Sequence, residues 1–105
     1  MKIIKMDELT GHKNQRGVVA KPILRHENAQ IMNLVLQPGD VVPPHAVPVD
    51  VFFYIVEGKG TLKIGDEEAV VEAKDIITVS PDTTMSLEAD QGEKFVVLNV
   101  KTPSL

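Results

Sequence analysis

Few side chains in this 105-residue chain can do chemistry. It has no Cys, which removes thiolate nucleophiles, disulfides and Cys-based zinc or iron–sulfur sites. Ser80, Ser86 and Ser104 lack a flanking nucleophile-elbow motif, and no glycine-rich phosphate cradle precedes a helix. Among the histidines, His45 stands out, because the stretch PPHAVPVDVFFYIVEGKG, Pro43 to Gly60, is otherwise almost wholly apolar. In such surroundings the neutral imidazole is favoured. It can then orient a ligand through one hydrogen bond or act as a general acid–base. The plain alternative is a histidine bonded to nearby backbone. Asn33 and Asn99 lie in apolar runs, where an amide is disfavoured unless it finds a partner. Either is a second polar handle or an outward, edge position.

The elements that must position these residues are strands. Short apolar or alternating runs recur over Val18–His26, Gln30–Leu36, Val47–Glu57, Thr61–Ile64, Ala69–Glu72, Ile76–Ser80, Met85–Ala89 and Phe95–Lys101. Between them lie turn signals such as QPGD, GKG, GDEE, PDTT and DQGE. Val- and Ile-rich runs at this spacing predict an all-β sandwich or barrel. No window of a dozen residues keeps helical spacing without meeting Pro or Gly, and only Met6–His12 has room for a helical turn. In the long Val47–Glu57 run, alternation puts Val47, Val49, Val51, Phe53 and Ile55 on one face and Phe52, Tyr54 and Val56 on the other. Apolar residues on both faces require cover on both sides, from this chain or from a partner subunit.

Residues 1–105 form one domain, with no repeat or linker. A chain of this length buries roughly two thirds of its unfolded surface, so neither metal nor disulfide is needed for folding. With a net charge of −4, no basic cluster, one Tyr and no Trp, nucleic acid is not an expected partner. The N-terminal MKIIKMDELTGHK lacks an unbroken apolar core, and no run approaches a membrane span, so a cytoplasmic protein without a membrane partner is expected.

Two motifs resemble those of a small single-domain cupin. The family's first motif runs Gly, five residues, His, one residue, His, three or four residues, Glu, six residues, Gly. In PGDVVPPHAVPVDVFFYIVEG, Gly39, His45 and Gly58 match it, followed by a hairpin-like YIVEGKGTLKIGD. The second motif, Gly, five residues, Pro, one, Gly, two, His, is similar to KDIITVSPDTTMSLEA. There Lys74 replaces the first glycine, Ser80 the proline and Asp82 the second glycine, which implies a left-handed backbone at Asp82. The resemblance spans residues 30–101, with 1–17 as an N-terminal arm or edge strand, and implies a double-stranded β-helix, or jelly-roll, barrel. It also implies a homodimer, since small cupins pack or exchange edge strands; the apolar face of Phe52, Tyr54 and Val56 and the MKIIKM start suit that.

Metal-binding cupins take two His and one Glu from the first motif and one His from the second. Here those positions carry His45, Val47, Val51 and Met85. Iron, manganese, nickel or zinc needs at least three nitrogen or oxygen donors, which one imidazole beside two valines and a thioether does not supply. No cofactor is therefore expected. Three routes to a metal stay open: a β-bulge that turns Asp50 inward, a soft His45–Met85 pair for Cu(I), and His12 or His26 arriving from the N-terminal segment.

The resemblance aims His45 into the barrel, among Val47, Val51, Phe53, Met85 and Leu87. Singly these read as core; jointly they make a small apolar cavity with a polar handle, to which Asn33 or Asn99 adds a second. The reading adopted is a metal-free barrel that binds a small organic ligand. Its competitors are a metal-dependent dioxygenase or isomerase with unexpected ligands, and a structural dimerisation module with a filled barrel.

Overall fold

A computed structural model of the chain describes residues 1–15 and 17–105. A short 3-10 turn, Met6–Glu8, is all that forms of the expected helical turn, and the chain is extended again before His12. Among the described residues ten strands follow: β1 (His12–Lys13), β2 (Val19–His26), β3 (Ala29–Leu36), β4 (Val41–His45), β5 (Asp50–Glu57), β6 (Lys59–Ile64), β7 (Glu67–Glu72), β8 (Ile76–Val79), β9 (Met85–Ala89) and β10 (Phe95–Thr102). They form two antiparallel sheets, ordered β1-β2-β3-β10-β5-β8 and β4-β9-β6-β7. The sheets close face to face into the expected double-stranded β-helix barrel. Among the described residues, no helix is long and apolar enough to cross a membrane.

Alternation dictates what fills the interior. β10 sends Phe95, Val97, Asn99 and Lys101 inward, opposite Leu36, Leu34 and Met32 of β3 and Ile55, Phe53 and Val51 of β5. The facing sheet supplies Val42, Leu62, Val71, Met85, Leu87 and Ala89 to the same core. At one end of the barrel Phe95, Leu36 and Ile55 are fully buried, and Phe53 is equally buried farther along, beside Asn99. The outer face of the six-stranded sheet is also apolar, with Phe52 37% and Ile76 64% exposed.

Three local readings of the sequence change. The long strand starts at Asp50, not Val47, because Pro48 has no N–H to give a ladder and the chain bends there. Val41–His45, not among the expected strands, is one despite its two prolines. The GKG segment is not a hairpin: β5 and β6 lie in different sheets, and Gly58 alone joins them. That corner needs glycine twice over. Gly58 has φ +84°, and a Cβ there would run into the Lys94 carbonyl oxygen; a Cβ on Gly60 would stand 2.6 Å from the Phe95 ring. Asp82 has φ +62°, the left-handed backbone expected there, and Lys74, at the family's other glycine position, has φ +76°.

These backbones give opposite predictions. Gly58→Ala should destabilise by about 2–5 kcal/mol through clash and a forbidden φ. Lys74→Gly should stabilise by up to about 1 kcal/mol, the relief exceeding the added chain entropy. Urea unfolding of the two variants checks both signs.

Candidate functional site

His45 is placed by a β-bulge. Val42 pairs with Leu87 and His45 with Met85, so three steps along β4 match two along β9. The extra residue falls at Pro43–Pro44, where missing N–H groups cost no ladder bonds. Unbroken alternation from the inward Val42 would point His45 out; the bulge returns it to the inner face. Its Nδ1 lies 3.1 Å from the Pro43 carbonyl oxygen. A carbonyl only accepts, so Nδ1 carries the proton, and in the neutral ring Nε2 is the nitrogen with the lone pair.

A cavity of about 150 Å³ opens between the sheets beside this ring. Its apolar walls are Ala20, Met32, Leu34, Val42 and Leu87, and its polar groups are His45, Asn14, Asn99 and Lys101. Lys101 Nζ donates to Asn99 Oδ1 at 2.7 Å. Asn14 is held by its own backbone and side chain, its Oδ1 accepting from Val18 N–H at 3.2 Å and its carbonyl from Gly17 N–H at 3.0 Å. Among the described residues the lining carries no carboxylate, although the chain has 15 acidic and 11 basic residues. Among the described residues, no buried side-chain nitrogen or oxygen lacks a hydrogen-bond partner. A larger groove, about 330 Å³, lies outside the four-stranded sheet along Thr61, Val70 and Glu88. Those three residues point away from the core, so the groove is an open surface rather than an enclosing site.

Of the pocket residues expected from sequence, His45 and Leu87 line the cavity. Val51, Phe53 and Met85 do point inward, but they are buried at 3%, 0% and 0% exposure and fill the core rather than border open space. Val47 precedes β5 and packs on the core, its carbonyl accepting from Asp82 N–H at 2.8 Å. Asn33 belongs to the opposite face of β3 from Leu34, and its Nδ2 donates to the Val97 carbonyl oxygen at 3.2 Å. The strand asparagine that reaches the cavity is Asn99. Sequence reasoning misses Lys101, yet a signal for it exists: Asn99 and Lys101, two apart, are the polar residues of one strand face. For Asn14 there is none.

The four positions that hold metal in cupins do not fit an ion here. Besides His45 they offer two valines and a buried thioether, and Val51 and Met85 belong to the packed core. Among the described residues, no group of three or more His, Cys, Asp or Glu side chains could hold a metal ion. Asp50 is exposed, and β5 runs in unbroken register with β8 from Val51 to Tyr54, so no bulge turns it inward. His12 and His26 are exposed; His26 Nδ1 accepts from Asn28 N–H at 3.1 Å in the β2–β3 turn.

Comparison with known proteins agrees with this architecture. KdgF from Halomonas sp. superposes with a TM-score of 0.90 at 16% identity, over 100% of this chain and 96% of that one. TT1209 from Thermus thermophilus gives 0.86 at 20% identity, over 98% of both chains. The polyketide cyclase RemF from Streptomyces resistomycificus gives 0.87 at 14% identity, over 97% of this chain and 79% of that one. At such identities the likeness is one of fold. No curated protein matches. The family model described as a cupin domain matches residues 32–101, most of the chain. The chain therefore belongs to the cupin family.

Proposed function

We propose that this cupin binds a small organic molecule in the cavity beside His45, without a transition metal. The observation that carries the reading is the lining itself, where five apolar residues enclose a space bordered by four polar side chains, two from β10, one from β4 and one from the segment after β1. A few convergent polar groups on an apolar wall are the usual make-up of a small-molecule site. The metal-dependent alternative has only His45 at the family's ligand positions. The filled-barrel alternative must leave open space between the sheets without a use.

We further propose a homodimer, in a cytoplasmic setting, built on the outer face of the six-stranded sheet. Phe52 and Tyr54 of β5 stand beside Ile76 of β8 there, an apolar surface on a chain that is 25% charged.

Two measurements test these readings. Elemental analysis of the purified protein should find iron, manganese, nickel and zinc well below one per chain, unchanged by His45→Ala; stoichiometric metal lost in that variant would overturn the metal-free reading. Sedimentation equilibrium should give a dimer that Ile76→Lys dissociates, whereas a monomeric parent chain would contradict the second proposal.

A further inference from the structure

We infer that the ligand is a small organic monoanion, held at the mouth of the cavity by the Lys101 ammonium beside Asn99 and His45. The inference rests on the ligand-binding reading above and adds the chemical class. Its starting point is the parity of β10. Lys101 continues the inward row of Phe95, Val97 and Asn99 on the central strand of the larger sheet. Lysine is among the residues least often placed inside, because taking an ammonium out of water is costly. This one is half-buried, with its ammonium 2.7 Å from the Asn99 amide oxygen at the edge of the cavity.

The walls agree with an anion. Among the described residues the lining has a lysine, an imidazole and two amides as its polar groups, and no Asp or Glu. This is a local reversal of sign on a protein with net charge −4. A carboxylate accepting from the ammonium makes a charge-assisted bond in a partly desolvated place, roughly twice as strong as a neutral one. His45 adds a second group at the same place, with its ring oriented by the Pro43 carbonyl. Beyond the polar mouth, Met32, Leu34 and Leu87 offer only apolar side chains, so the rest of the ligand is apolar. A space of 150 Å³ holds about one benzene-sized body. A monocarboxylic acid with a short aliphatic or single-ring body meets all three conditions. A phosphate dianion or a sugar leaves either charge or hydroxyls against the apolar wall.

The test uses the purified full chain and three acid–amide pairs: acetate and acetamide, butyrate and butyramide, benzoate and benzamide. Affinities are measured by calorimetry on the parent protein, Lys101→Met and Lys101→Arg. Benzoate or butyrate should bind the parent protein more tightly than its amide, by about tenfold or more. Lys101→Met should abolish that preference by weakening the acid far more than the amide, and Lys101→Arg should keep much of it. If Lys101→Met fails to fold, the salt dependence of the parent protein decides: acid binding should weaken with added salt and amide binding should not. Equal affinity for acid and amide would overturn the anion inference yet leave a ligand pocket standing. No binding by either member of any pair, with no stabilisation by neutral sugars or aromatics, would remove the pocket reading as well.

Discussion

One row of side chains organises this barrel. β10 pairs on both sides, with β3 and β5, and its inward residues run Phe95, Val97, Asn99, Lys101. Because a strand gives every second residue to the interior, this order sets a gradient from aromatic to cationic along the barrel. At the Phe95 end the ring lies against Gly60, and Leu36 and Ile55 complete a closed apolar plug. Toward the Lys101 end Phe53 is buried beside Asn99, and a space between the sheets stays open to His45 and Leu87. Closing one end with hydrocarbon provides the burial that folds the chain. Leaving polar groups at the other provides the site proposed for a ligand.

The bulge at Pro43–Pro44 acts on the facing sheet. Prolines are poor ladder members, and two in succession at a strand end are accommodated by one unpaired residue. The result is that His45 joins Val42 on the inner face and meets the polar end of β10. Imidazole, amide and ammonium thus come from β4 and β10, which are distant in sequence. The cupin framework is retained, while two of the positions at which cupins ligate metal have become core, Met85 wholly and Val51 nearly so.

Much of this is legible in the sequence, and what is not has physical reasons. The Met85–Ala89 strand has its expected bounds, and the two apolar faces of β5 follow from parity. Turn residues, however, mark where a strand ends and not which sheet receives the next one, so the Gly58 corner passes for a hairpin. Inward orientation of Val51, Phe53 and Met85 is also readable from alternation or family position. Whether an inward residue borders packed core or open space depends on how strands far apart in sequence align, and no local pattern carries that. The asparagines make the same point: Asn33 and Asn99 look alike in sequence, but one is buried on the far side of the sheet, bonded to the Val97 carbonyl, and the other faces the cavity. Pairing Asn99 with Lys101 by parity is the clue within reach.

The most direct measurement is a crystal structure of the protein grown with manganese, iron, nickel and zinc salts, recorded at each metal's absorption edge. The account predicts no anomalous peak inside the barrel, with any bound density lying between His45 and the Asn99–Lys101 pair. A transition ion gripped there by three or more side chains would contradict it.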